Sequence, residues 1–272
     1  MLKQIRCPMP QWLIGLLLAL PGLAHADGYS AGAARVDTTP PPFDATADAA
    51  AFPLCPSAVY TGPRRFAFEE PYIDLNGNGR YDYGAVDADG NPDPGDPPEP
   101  YCDANANGRW DGIFISGGVD HQAVQVHDPL DARAIAISDG THALILESIV
   151  EQGIFINVID RIRARVAQLR PAVDPDFVIV SANHNEASPD TVGIYGAPDI
   201  EGAFGLHSGI DDYYVSFLVE QAAQAAVQAY DHMSAATLWA TSFSIPANLT
   251  VRLSNNFPTT NDDGTPAAID PK

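Results

Sequence analysis

The chain has 272 residues, an apolar content of 46% and a formal net charge of −21, with 35 acidic and 14 basic residues. This length and apolar fraction suit one large or two small globular domains and exclude a disordered chain. The charge argues against nucleic acid or an anionic membrane as a partner, because both are polyanions.

The first 26 residues have the pattern of an export signal. Lys3 and Arg6 precede an apolar run over residues 12–20, and a small-residue A-H-A site ends at Ala26. A proline ends the run before it reaches the roughly 20 residues of a spanning helix, so we expect no transmembrane span after cleavage. The sequence therefore predicts residues 1–26 as a signal peptide and a secreted or periplasmic protein.

Residues 27–118 form the second predicted region, an extended and irregular segment rich in Pro, Asp and Gly. After signal removal, Cys55 and Cys102 are the remaining cysteines, and an oxidising compartment favours their pairing as a disulfide. A metal role is less favoured, because the chain has no C-x-x-C pair.

An acidic nonapeptide occurs twice within this region. Residues 74–82 and 103–111 both read D-x-N-x-N-G-R-[YW]-D. Oxygen ligands at positions 1, 3 and 5 with glycine at position 6 are typical of a tight loop around a hard cation. The predicted calcium ligands are Asp74, Asn76, Asn78, Asp82, Asp103, Asn105, Asn107 and Asp111. The alternative is a metal-free Asn/Gly turn. Neither copy has the EF-hand glutamate at position 12, so the aspartate at position 9 must close the site, alone or with the other loop.

Residues 119–272 are predicted to form an incomplete α/β domain. Short apolar runs at 132–137, 143–146, 177–180 and 236–243 predict strands, the first three buried on both faces. Apolar residues recurring at helical spacing over 155–169 and 215–229 predict two helices, the second opened by a capping box at Ser208-x-x-Asp211. Alternating strands and helices indicate α/β architecture with a largely parallel sheet and packed helices, preceded by the long irregular acidic, calcium-loop-like segment.

His184 and Glu186 follow the third of these strands. The carboxyl ends of parallel strands are where α/β proteins bind ligands, so the pair is a candidate metal or acid/base site. Hydrogen bonding within the loop is an equally good interpretation. Glu147 lies in an apolar run and is either a functional group at a strand end or exposed by strand twist.

Three segments resemble the N-terminal domain of the neutral/alkaline non-lysosomal ceramidase family, in its bacterial ceramidase-like branch. Residues 31–40 are similar to the opening motif G-x-x-x-x-D-I-T-P, and residues 180–189 to S-x-T-H-x-H-x-G-P. Residues 127–134 are the third similar segment, and residues 208–213 also open a helix as in that branch. The resemblance covers most of the chain after the signal and indicates a truncated family member.

The resemblance implies a zinc-dependent hydrolase that cleaves the amide bond of an N-acyl (sphingo)lipid. His184 falls on the first histidine of the family's H-x-H and would be a zinc ligand. Glu186 stands at the second histidine and would be a ligand or the catalytic base. No segment matches the family's remaining ligands, so the alternative is a non-catalytic, calcium-stabilised secreted binding protein or an inactive fragment of the family.

Overall fold

The computed structural model describes residues 24–85, 93–197 and 207–242. The strands are β1 (Ala24–Asp37), β2 (Asp131–Ser138), β3 (Ala143–Ile149), β4 (Val178–Ala182) and β5 (Ser234–Ala240). The helices are α1 (Ala45–Ala51), α2 (Ile156–Leu169) and α3 (Asp212–Asp231), with a 3₁₀ turn at Pro175–Phe177. None of the helices in these ranges has the length and apolar character needed to cross a bilayer. Residues 1–23 of the predicted signal segment lie outside the described residues.

Backbone contacts divide the chain into two compact units. The larger unit is Gly28–Ala236. The other unit consists of Met1–Asp27 and Thr237–Lys272, so it includes the outer ends of β1 and β5.

The α/β prediction is confirmed, but the prediction of a largely parallel sheet is wrong. The five strands lie in the order β4-β3-β2-β1-β5. β1 pairs with β2 and β2 with β3 in antiparallel fashion, and the parallel pair is β3 with β4. The β2–β3 connection is the four residues 139–142, too few for the crossover that a parallel pair requires. The β3–β4 connection contains α2, which provides that crossover.

One face of the sheet is covered by helices. Val158, Ile162 and Val166 of α2 recur at every fourth position and are buried, so they form one helix stripe. α3 packs on β2 and β3 through a run of alanines. The opposite face carries Ile135, Leu146 and Ile179, which are exposed and directly paired across three strands.

The predicted extended region contains two regular elements that its sequence did not reveal. β1 is rich in alanine and glycine, and a Cβ at Gly32 would lie 2.2 Å from the carbonyl oxygen of Ala229, so the close approach of α3 requires glycine there. α1 is capped by Asp44, which accepts from the N–H groups of Thr46 and Ala47. The capping-box prediction is wrong at Ser208, because Asp211 caps α3 by accepting from the N–H of Tyr214.

The described residues between α1 and β2 form turns, bends and isolated bridges. A disulfide between Cys55 and Cys102 joins the start of this segment to its second half. One antiparallel bridge pairs Tyr72 with Tyr101, directly ahead of the two nonapeptides.

Candidate functional site

The first nonapeptide, residues 74–82 (loop 1), gathers its predicted ligands around one carboxylate. Asn76 and Asn78 donate from Nδ2 to Oδ2 of Asp82 at 2.7 and 2.6 Å. Asp74 accepts from the N–H groups of Gly77 at 2.6 Å and Gly79 at 2.9 Å, which holds the turn closed.

The second nonapeptide, residues 103–111 (loop 2), repeats this arrangement. Asn105 and Asn107 donate to Oδ2 of Asp111 at 2.6 and 2.8 Å. Asp103 accepts from the N–H groups of Asn107 at 3.0 Å and Gly108 at 2.9 Å. The structure thus brings the eight predicted ligands together as two separate groups of four.

Both loops turn through left-handed backbone at positions 4 and 6. Gly77 and Gly79 have φ of 75° and 78° in loop 1, and Ala106 and Gly108 have φ of 57° and 80° in loop 2. A left-handed alanine is strained by its Cβ, so the same path is less favourable in loop 2 than in loop 1.

Two glutamates connect the loops, because each one accepts hydrogen bonds from the loop of the other repeat. Glu99, four residues before loop 2, accepts from the N–H groups of Leu75 at 2.6 Å and Asp82 at 3.1 Å. Glu70, four residues before loop 1, accepts from the N–H groups of Ala104 at 2.7 Å and Asp111 at 3.2 Å. Each carboxylate therefore satisfies backbone donors at the second and ninth positions of the opposite loop.

Three buried carboxyl groups of this region, those of Glu70, Glu99 and Asp111, have raised pKa values. Burial raises the pKa of Glu70 to about 7, although hydrogen bonds from Ala104 and Asp111 oppose the shift, and the charges of Asp111 and Asp103 add to it. Burial also raises the pKa of Glu99 and of Asp111. A cation bound at the loops would lower these pKa values, because a nearby positive charge favours the ionised carboxylates.

The two loops share an aromatic core. Tyr81 and Trp110 occupy the same motif position and stack with ring centroids 4.6 Å apart. Tyr72 and Phe114 are buried with them, and Tyr83 and Tyr101 pack at the edge. This core packs the two loops against each other.

Loop 2 contacts the N-terminus of α3. The N–H of Asp212 donates to Asp111 at 3.2 Å, and Asn107 donates to the Asp212 carboxylate at 3.0 Å. Arg109 pairs with both aspartates and donates to the carbonyl of Ile210 at 3.1 Å. Loop 1 is instead joined to Gln122, which exchanges two hydrogen bonds with the backbone of Tyr81.

His184 and Glu186 lie together after β4, exposed to solvent. His184 Nε2 is 3.3 Å from Glu186 Oε1, and the side chains are 73% and 62% exposed. His184 has φ of 64°, a strained conformation for a residue with a Cβ. The nearby Asp190 is turned away from the pair, since it accepts from the backbone N–H groups of Val192, Gly193 and Tyr195.

Among the described residues, no group of three or more His, Cys, Asp or Glu side chains is arranged to hold a metal ion. The pair formed by His184 and Glu186 therefore gains no third ligand of these types in those ranges. Each loop contributes two carboxylates together with asparagines, which fall outside that ligand set.

A cavity of about 640 Å³ lies between the segment that precedes β2 and the segment that follows β4. Its apolar lining includes Phe66, Ile113, Ile115, Val126 and Leu130, and its polar lining includes Asn185, Ser188, Asp128 and Arg133. Its size and lining suit a small apolar molecule.

Two buried glutamates near the sheet differ in their partners. Glu147 lies within β3 on the helix-covered face and is 3% exposed, so exposure by strand twist is excluded. Neither of its carboxyl oxygens finds a hydrogen-bond partner in the described ranges, and burial raises its pKa well above the usual value. Burial raises the pKa of Glu151 to about 8, although hydrogen bonds from Tyr214 and Ser188 oppose the shift.

The sequence interpretation missed Glu70, Glu99 and Asp212. The first two had a signal, because E-P-Y precedes both nonapeptides and extends each repeat to residues 70–82 and 99–111. Asp212 had none, since only the fold brings it to loop 2 from 101 positions away.

No known family model and no curated protein matches this sequence. Among solved structures, a ceramidase complexed with C2 matches with 13% identity and a TM-score of 0.44, over 77% of this chain and 22% of that chain. The neutral ceramidase from Pseudomonas aeruginosa matches with 13% identity and a TM-score of 0.43, over the same shares of the two chains. The chain thus spans about a fifth of the length of these structures. At these scores the function must be argued from the site itself.

Proposed function

We propose that loops 1 and 2 each bind a calcium ion and that the chain is a calcium-stabilised, non-catalytic binding protein. The observation that carries the proposal is one motif folded twice in the same way. In both loops two asparagines meet the carboxylate at position 9, and the carboxylate at position 1 closes the turn. Export of the protein is part of the proposal and rests on the N-terminal pattern.

The donor set of each loop fits calcium. Carboxylate and amide oxygens are its usual ligands, and it accepts flexible loops, whereas Mg²⁺ demands near-ideal octahedral geometry. The ion would be held by Asp82 in loop 1 and by Asp111 in loop 2, with the asparagines turning their amide oxygens toward it. Two carboxylates per loop correspond to dissociation constants of about 10⁻⁴–10⁻³ M, the range of extracellular calcium modules.

Thermal unfolding with and without calcium tests this proposal. We expect millimolar CaCl₂ to raise the Tm of the wild-type chain, because a ligand of the native state stabilises it by mass action. Asp82→Asn and Asp111→Asn should each reduce the shift, and the double variant should lose it. Asp160→Asn is the matched control, since this aspartate of α2 is exposed and pairs with Arg163, three residues along the same helix. An equal shift in the double variant and the control would contradict the proposal.

Hydrolysis of an N-acyl (sphingo)lipid is the second candidate. It is favoured by the apolar cavity, because Asn185 and Ser188 of its wall belong to the segment after β4 that also carries His184 and Glu186, although those two side chains do not line the cavity. The residues present do not fit zinc, which takes three or four protein ligands. His184 and Glu186 alone fall short of that number within the described ranges.

Fatty-acid release from an N-acyl sphingolipid distinguishes the two candidates. The calcium-binding protein is expected to release none above background, with or without added zinc. Release that disappears in Glu186→Gln and persists in Asp160→Asn would establish the hydrolase instead.

A further inference from the structure

The two repeats contact each other through pairs of equivalent hydrogen bonds. The N–H of Ile73 donates to the carbonyl of Pro100 at 2.8 Å, and its counterpart Cys102 donates to Pro71 at 2.8 Å. The N–H of Glu99 likewise donates to Asp82 at 2.9 Å, and that of Glu70 donates to Asp111 at 2.8 Å. Each bond between the repeats in this set has a partner bond of similar length, as an approximate two-fold axis requires.

The glutamate side chains follow the same symmetry with exchanged partners. The Glu99 carboxylate holds the second and ninth residues of loop 1, and the Glu70 carboxylate holds those of loop 2. In each case the bonded N–H groups belong to, or lie next to, the loop's two aspartates. A residue of the opposite repeat therefore holds the backbone at or next to both aspartates of each loop.

We propose that Glu70 and Glu99 are positioning residues, each for the loop of the opposite repeat, and that they couple the two loops so that the loops bind calcium cooperatively. The pair of hydrogen bonds from one loop to the glutamate of the other repeat is called the clamp. This inference rests on the proposed calcium function. Glu99 lies four residues before Asp103, and ordering loop 2 orders the short segment that carries Glu99. Glu99 is then already positioned to accept the hydrogen bonds of loop 1. In the same way, ordering loop 1 positions Glu70 for loop 2. A first ion thus reduces the ordering that the second ion must supply.

The glutamates position the loops through backbone groups, and the structure gives them no direct role as ligands. Both carboxylate oxygens of Glu99 accept from N–H groups of loop 1, and Tyr213 adds a 3.5 Å contact to Glu70. A glutamine at either position keeps the size of the side chain but turns one oxygen acceptor into an N–H donor facing a backbone N–H. Glu99→Gln and Glu70→Gln should therefore disrupt the hydrogen bonds to the opposite loop with little other change.

The experiment combines amide exchange with calcium titration on the full, disulfide-bonded chain. Without calcium, Glu99→Gln should speed exchange at Leu75 and Asp82 in loop 1, and Glu70→Gln at Ala104 and Asp111 in loop 2. With calcium, Glu99→Gln should weaken binding at loop 1 by about tenfold. It should also abolish the positive cooperativity of the wild-type chain, which Asp160→Asn keeps.

The outcomes separate this inference from the proposed function. Faster exchange confined to the glutamate's own repeat would overturn the exchanged clamp, whatever calcium does. Two ions that bind the wild-type chain independently would overturn the coupling while leaving calcium binding intact. No binding of calcium would remove the proposed function and the cooperativity with it, while the exchange data would still decide whether the clamp crosses between the repeats. If Glu70→Gln fails to fold, Glu99→Gln alone decides each of these points.

Discussion

The paired loops and strand β3 both bury glutamates, but among the described residues the carboxylates of the loop glutamates have hydrogen-bond partners and the carboxyl of Glu147 in β3 has none. Glu70 and Glu99 are 0% and 3% exposed, and each accepts two backbone N–H groups. Glu147 is 3% exposed in β3 and accepts none from the described residues. In the loops no ladder satisfies the backbone, so carboxylates do so. In the sheet the strands already pair their backbone groups, and a buried carboxyl has nothing left to accept from.

The difference shows that burial by itself does not identify a functional carboxylate. The loop glutamates replace secondary structure and fix candidate ligands in place. Glu147 weakens the apolar layer between the sheet and the helices, because a polar group buried without a hydrogen bond destabilises the fold. Partners, rather than exposure, distinguish the two cases.

Removal of the disulfide should have the largest effect and should fall on the loop region. Cys55 and Cys102 are 47 residues apart in sequence, and a loop of this length corresponds to about 4 kcal/mol of stability in the chain-entropy model. We expect Cys55→Ala with Cys102→Ala to lower the free energy of unfolding by that amount in urea denaturation. Loss of amide protection spread evenly over β2 and β3 as well would break the comparison between the two regions.

Replacement of Glu147 should stabilise the sheet region. Glu147→Leu removes a buried carboxyl without hydrogen-bond partners in the described ranges and fills its space with an apolar side chain. We expect a gain of about 3 kcal/mol in the free energy of unfolding at pH 7.

Glu147→Gln is the control for this effect. It removes the ionisable group but keeps polar atoms in the same apolar site, so its gain should be smaller than that of leucine. Destabilisation by Glu147→Leu would mean that the carboxyl makes a stabilising contact.

The pH dependence of stability should depend on Glu151. Its pKa is raised from 4.5 to about 8 in the folded chain, so its protonated form is favoured by folding. The resulting stability is complete below about pH 4.5 and is lost as pH rises toward 8, by up to about 1.4 kcal/mol per unit. Glu151→Gln should flatten this decline in urea denaturation between pH 5 and 8. A slope identical to that of the wild-type chain would contradict the assignment.

Position 4 of the loops should give the smallest effect. Ala106 has φ of 57°, whereas its counterpart in loop 1 is Gly77 with φ of 75°. We expect Ala106→Gly to stabilise the chain by about 1 kcal/mol and Gly77→Ala to destabilise it by a similar amount. Equal signs for the two variants would show that the loops do not follow the same path.

The sequence predicted the elements whose side chains show a clear period. α2 and α3 were found from apolar spacing, and β2, β3 and β4 from apolar runs. Strand direction was not predictable from those runs, because Ile135, Leu146 and Ile179 face outward and make half-exposed strands look buried on both sides. β1 was missed because its alanines and glycines carry little apolar signal.

The sequence predicted the eight side chains of the candidate site and missed the residues that support them. The spacing of the nonapeptides identified eight side chains, and the fold groups them as two sets of four. The crossing of Glu70 and Glu99 to the opposite loop depends on the two-fold packing around Tyr72 and Tyr101. No local pattern encodes that packing.

Calorimetric titration of the disulfide-bonded chain with calcium tests the central claim most directly. The account predicts two ions per chain, bound with positive cooperativity at submillimolar to millimolar concentration. It also predicts that both are lost when Asp82→Asn and Asp111→Asn are combined. Heats equal to those of dilution up to several millimolar calcium would contradict it.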